Sequence, residues 1–173
     1  AACGRFIAYL DSDDYWKKEK LERQITFMTE NRFGACMTSY ETVNEDGSFR
    51  NIVHIDERLD YKKFLKKPPT CSHTIMFDTE LVDKKALVMP DIRKRQDAAT
   101  WLQVIKLYGC LHGFDEVLAA NRKRSDSLSA NKVSAVKGTW FLYTEIEGLS
   151  KPYAGYCLFW QMFHAVLKRI GKR

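Results

Sequence analysis

No two cysteines in this chain fall into a CxxC spacing, and the five present, at positions 3, 36, 71, 110 and 157, are odd in number and widely scattered. That pattern argues against a disulfide framework and against a thiolate zinc site, and it suits a reducing cytoplasm. His54, His73, His112 and His164 likewise lack ligand spacing, so none is assigned a metal. The opening residues carry no signal-peptide pattern, no internal repeat or low-complexity tract is visible, and no apolar run reaches the ~20 residues of a spanning helix. What is present is a chain of 173 residues, 45% hydrophobic and 13% aromatic, which suits one domain with a sizeable core and excludes general disorder. Its formal net charge of +6 fits an anionic partner (nucleic acid, a membrane surface or a phosphorylated substrate) or simply a solvated basic face.

Strand-like and helix-like segments alternate. Phe6 to Leu10 reads as a buried strand, and Trp16 to Asn31, apolar at Trp16, Leu21, Ile25 and Met28, reads as a helix. "FGACMTSYETV" and "FRNIVHI" flank the turn "NEDGS", which predicts a hairpin centred on Asp46-Gly47. Asp60 is placed to cap the short helix "YKKFLKK", ended by Pro68-Pro69, and "SHTIMFD" reads as another strand. Asp97 to Tyr108 predicts a second amphipathic helix, with Gly109 at its end, and "FDEVLAAN" a further strand. Beyond the polar loop "RKRSDSLSANK" the chain reads as helical, broken near Ser150-Lys151-Pro152. This mixed order predicts an α/β fold, or α+β with a largely covered sheet.

Three carboxylates, Asp11, Asp13 and Asp14, stand directly behind the first strand in "RFIAYLDSDDYW". Packed this closely they repel one another unless water or a cation screens them. In open α/β sheets ligands bind beyond the carboxyl ends of strands, which is where this cluster falls. On an extended segment Asp11 and Asp13 share one side, and hard oxygen donors of this kind suit Mg2+ or Mn2+. The alternative is a plain turn in which the aspartates cap the helix beginning near Tyr15.

At these residues the chain resembles a known family. "GRFIAYLDSDDYWKKEKLERQITFM" is similar to the central segment of family 2 glycosyltransferases, where a strand leads into a DxD motif. "MPDIRKRQDAATWLQVIKLYG" and "FDEVLAANRKRSDSLSANK" resemble the later signature helix and the strand and basic loop of that family, in the same order. The resemblance implies a GT-A-like, Rossmann-like mixed sheet flanked by helices, amino-terminally truncated because the nucleotide-binding half that precedes the DxD has no counterpart. It divides the chain into residues 1–132, the later part of the catalytic domain, and 133–173, a helical extension. It also implies transfer of a sugar, with inversion, from a nucleotide-diphosphate sugar such as a UDP-sugar to a saccharide or lipid-linked acceptor in cell-surface polysaccharide synthesis.

In that reading Asp13, with Asp11, holds Mn2+ or Mg2+ at the donor diphosphate, and Asp11 is alternatively a contact to the donor ribose. Asp97 is the base toward the acceptor, and its helix-start position suits a negative charge, though such a carboxylate can equally serve the helix dipole alone. Arg124 is expected at the diphosphate. Arg95, Gln96 and Trp101 are expected at the substrate, with Trp101 either walling the acceptor site or lying in the core. Asn121 stands where the family usually has an aromatic residue.

The tail "YAGYCLFWQMFHAVLKRIGKR" is aromatic with a cationic end, which fits either a helix lying on the inner face of a membrane or packing on the domain or on a second subunit. An aspartate-nucleophile phosphohydrolase also places DxD after a strand, but Tyr15 occupies the position where that class carries Thr or Val. A basic nucleic-acid-binding domain rests on charge alone, without a recognised motif.

Overall fold

The computed structural model describes residues 2–68, 72–123 and 132–170. In chain order the elements are β1 (Phe6–Ala8), β2 (Tyr15–Trp16), α1 (Lys20–Asn31), β3 (Ala35–Val43), β4 (Phe49–Val53), β5 (Arg58–Asp60) and α2 (Tyr61–Lys66). A 3₁₀ turn (Ser72–Thr74), β6 (Ile75–Asp78), a second 3₁₀ turn (Lys84–Leu87), α3 (Gln96–Tyr108) and β7 (Cys110–Arg122) follow. α4 (Lys132–Phe141), a π-helical turn (Leu142–Ile146) and α5 (Lys151–Ile170) complete the described chain.

One mixed sheet organises the molecule, in the order β1-β6-β3-β7-β2, with β4 also on β3 and β5 also on β7. Its axis is the parallel pair β3 and β7; the other pairings are antiparallel. Along β3 the partner on one side changes from β6 at Ala35–Met37 to β4 at Tyr40–Val43. β7 is likewise shared between β5 near its start and β2 near its end. That arrangement places the short strand Tyr15–Trp16, and the acidic turn before it, at the carboxyl end of β7.

Both faces of the sheet are covered, which explains why β3 is almost wholly buried along its length. Side chains alternate between two clusters: Cys36 and Met76 pack with Met28 of α1, whereas Ala35, Met37, Ile75 and Phe77 join the larger core under α2, α3 and α5. Leu142, Tyr143, Ala154 and Cys157 belong to this larger core too, so the carboxyl-terminal helices share it with the sheet.

The expected hairpin is present as β3 and β4, turning through Gly47 at φ 83°. Asp60 Oδ1 accepts the Lys63 amide at 2.9 Å and caps α2. Gly109, at φ 93°, ends α3, and the helical tail breaks at Gly148, at φ 66°. Several boundaries differ from the sequence reading: the first strand ends at Ala8, not Leu10, and is half-buried, and the returning strand of the hairpin ends at Val53. The first helix starts at Lys20, not Trp16, because Tyr15 and Trp16 pair with Ala120 and Ala119 of β7. β7 starts at Cys110, four residues early, because β5 pairs with Cys110–His112. The segment "SHTIMFD" divides into a 3₁₀ turn and a strand.

Candidate functional site

The acidic segment is a tight turn, not extended backbone: the Asp14 amide donates to the Asp11 carbonyl at 3.1 Å. The turn, not strand alternation, decides which carboxylates converge. Oxygens of Asp11 and Asp14 and a ring nitrogen of His73 lie within 4.8 Å of one another. His73 is fully buried, and its Nδ1 stands 2.7 Å from Asp14 Oδ2. Asn121 donates to both Asp14 oxygens at 3.1 and 3.2 Å, and the Arg122 amide donates to Oδ1 at 3.0 Å. Burial would raise the Asp14 carboxyl, but His73, the Arg122 amide and Asn121 together hold it below the ordinary aspartate range.

The three aspartates therefore differ in what they have left to offer. Asp14 is engaged on both oxygens and fastens the turn to the end of β7 and to the 3₁₀ turn. Asp11 is pushed above its ordinary range, first by partial enclosure and then by the charge of Asp14, with smaller contributions from Asp13 and Asp97. Asp13 makes no hydrogen bond or ion pair among the described residues. Among the described residues the acidic and imidazole groups that converge closely enough to hold a metal ion are Asp11, Asp14 and His73, so the turn brings Asp14, not Asp13, beside Asp11. Asp14 does not cap α1, whose amino-terminal residue Glu19 makes no side-chain cap.

The 3₁₀ turn Ser72–Thr74 is the second half of the site. Ser72 Oγ donates to Asp97 Oδ2 at 3.2 Å. Neighbouring residues of one turn thus hold Asp14 and Asp97, which are far apart in sequence, and the charge of Asp97 is felt at Asp11. The turn itself is pinned from behind. Trp16 Nε1 donates to the His73 carbonyl at 2.7 Å, and Gln24 Nε2 donates to the Thr74 carbonyl at 3.0 Å and to that of Cys36 at 3.2 Å. Lys20 Nζ, buried beneath, donates to Gln24 Oε1 at 2.7 Å and lies over the Trp16 ring at 4.4 Å.

Asp97 stands in the first turn of α3, half-buried, beside the exposed Gln96. Arg95, just before the helix, adopts φ 65°, and its guanidinium reaches the Ala135 carbonyl of α4 at 3.4 Å, while Lys94 donates to Ser134. The basic loop before α3 is thereby tied to α4. Trp101 is 2% exposed and lies in the core, edge-on to Tyr9 at 5.1 Å and beside Phe77 at 5.2 Å. Arg124 lies outside the described residues.

His73, Ser72 and Asn121 are the residues that sequence reading passed over. Nothing local marks His73 or Ser72, because each meets its partner only across the fold. Asn121 did carry a signal, as a polar residue in a place that usually holds an aromatic one, and its amide is what secures Asp14.

Comparison with known proteins follows the same outline. Residues 1–86 match the profile of the family described as Glycosyl transferase family 2. The chain is 41% identical over 170 residues to TuaG of Bacillus subtilis (strain 168), named as a teichuronic acid biosynthesis glycosyltransferase, covering 98% of this chain and 67% of TuaG. It is 32% identical over 142 residues to WfgD of Escherichia coli, a UDP-Glc:alpha-D-GlcNAc-diphosphoundecaprenol beta-1,3-glucosyltransferase, covering 80% of this chain and 54% of WfgD. Among solved structures, S. aureus TarS 1-349 in complex with UDP-GlcNAc superposes with a TM-score of 0.61 at 18% identity, over 93% of this chain and 48% of that one. The likeness to TarS establishes a shared fold. The chain spans two thirds of TuaG and about half of the other two.

Proposed function

Because the chain belongs to glycosyltransferase family 2, we propose that it carries the reaction centre of an enzyme that moves a sugar from a nucleotide-diphosphate donor to an acceptor hydroxyl, with inversion, in cell-surface polysaccharide synthesis. The observation that carries this reading is the single turn Ser72–Thr74, which secures the acidic turn through His73 and Asp97 through Ser72. Donor-side and acceptor-side carboxylates so held can serve one reacting carbon. A UDP-sugar donor and a lipid-linked acceptor are supported by the substrates for which WfgD is named and by the UDP-GlcNAc bound to TarS.

Asp11 and Asp13 would hold Mn2+ or Mg2+, whose chemistry here is to offset the negative charge growing on the leaving diphosphate. Asp14 shapes the turn that presents them. Asp97 takes the proton of the attacking hydroxyl, with Ser72 fixing the direction of its carboxylate. Gln96 and Arg95, at the same helix start, are assigned to the substrate, Arg95 from a position where its guanidinium also meets the Ala135 carbonyl, and Trp101 supports the site from the core through Tyr9. Arg124 meets the diphosphate. A cytoplasmic enzyme is the reading that the scattered cysteine pattern of the sequence favours.

The test is a donor screen with manganese, comparing the unchanged enzyme with Asp13→Ala and Asp97→Asn. Asp13→Ala is expected to abolish metal-dependent donor binding. Asp97→Asn is expected to keep donor affinity while losing transfer by ~10² to 10⁴, the usual worth of general-base help. Normal turnover in either variant defeats the assignment.

A further inference from the structure

Residues 132–173 hold seven Lys or Arg (132, 137, 151, 168, 169, 172, 173) against two acidic residues, Glu145 and Glu147. The whole chain has a net charge of +6, so nearly all of its excess positive charge belongs to this last quarter. Glu147 is neutralised within the fold by Lys106 at 3.1 Å, and it accepts a hydrogen bond from Tyr61 at 2.6 Å.

The same segment exposes an unusual amount of aromatic surface. α5 buries Ala154 and Cys157 in the core and turns Tyr156 (46% exposed), Phe159 (56%), Met162 (47%), Phe163 (42%) and Val166 (49%) outward. At 100° per residue these side chains span roughly 120° of the helix circumference, about the width of a face that ordinarily packs on a core. α4 repeats the pattern, with Val133, Val136 and Trp140 exposed at helical spacing and Lys137 beside them. Lys66 of α2 adds its charge at the edge, its Nζ 5.3 Å from the centre of the Tyr156 ring.

We propose that this aromatic and basic face is a docking surface for an anionic lipid bilayer, on which α5 lies in the plane of the interface. Exposed aromatic side chains with cations at the margin match the boundary between headgroups and acyl chains, and the excess of Lys and Arg is complementary to acidic headgroups. No described helix is long and apolar enough to cross a membrane. A second copy of the chain fits less well, because pairing these faces would set one cationic margin against another.

The experiment is flotation of the full chain with vesicles of phosphatidylcholine alone or with 30% phosphatidylglycerol, at low and high salt. The expected result is at least tenfold stronger partition onto the anionic vesicles, weakening as salt rises. Phe159→Ser with Phe163→Ser, both exposed, is expected to lower that partition at least tenfold without changing the melting temperature, whereas Leu107→Ser, on an exposed part of α3, leaves it unchanged. Equal binding to neutral vesicles, or undiminished binding by the double variant, overturns the proposal. So does an absence of vesicle binding together with a dimer, seen by sedimentation, that the double variant dissolves; that result assigns the face to a second copy. The assay contains no donor or acceptor, so its failure is distinct from a failure of sugar transfer.

Discussion

Lys20 has no exposed surface, and burial lowers its ammonium from the ordinary 10.5 to about 8. Between pH 8 and 10.5 the folded chain therefore binds fewer protons at this residue than the unfolded chain, so this group makes stability rise with pH across that window. The gain is on the order of 3 kcal/mol, complete once both states are neutral. Lys20→Met is expected to remove this slope, checked by comparing urea midpoints of the two proteins at pH 7.5 and pH 10. Lys20, Gln24 and Trp16 together show how far a single residue's role was legible. The stretch after the acidic cluster read as helix with apolar positions facing a core, but not that its amino end supplies the donors gripping residues 73 and 74. Those contacts lie 50 and 57 positions away along the chain.

Among the elements, β7 is flanked by three strands, β3, β5 and β2, as β3 is by β4, β6 and β7. Where the segment leading into β5 approaches, Gly113 has no room for a side chain: a Cβ there would clash with the Asp56 carbonyl oxygen. Gly113→Ala is expected to force the two segments apart and to destabilise the fold by about 1–3 kcal/mol, read as a lowered denaturation midpoint with unchanged slope. The long strand was only half legible. "FDEVLAAN" has the apolar character of a buried strand, whereas "CLHG" before it has no such pattern and becomes strand because β5 is there to pair with it. The hairpin, the Asp60 cap and the end of α3 at Gly109 were legible because each depends on residues adjacent in sequence.

Across the described residues, three of the carboxylates that join elements distant in sequence are held below the ordinary range. Asp14 has been described; Asp78 of β6 takes a two-pronged bond from Arg5, with Nε donating to Oδ1 at 3.0 Å and Nη2 to Oδ2 at 2.7 Å, which lowers it. Asp115 is lowered first by Ser39 and then by His54, linking β7 to β3 and to the end of β4. A depressed folded value gives stability that is present above the unfolded value, near 3.8, and lost as pH falls through the folded one. The chain is expected to unfold in acid below about pH 4, and Asp78→Asn to be less stable at pH 7 with a flatter acid limb, both measurable by far-ultraviolet circular dichroism.

By itself the sequence determined the alternation of strands and helices, the acidic turn behind the first strand, the helix-start aspartate and a carboxyl-terminal segment rich in aromatic residues and cations. Hydrophobic periodicity, turn chemistry and charge are carried by neighbours along the chain, so no fold is needed to see them. Tertiary structure alone decided which aspartate is tied down and which are left free, because that depends on His73 and Asn121 arriving from other strands and turns. It also decided that one short turn serves both carboxylate sites, and that the outward face of α5 stays uncovered among the described residues. Such choices rest on hydrogen bonds and burial between segments 25 to 107 residues apart, which no local pattern encodes.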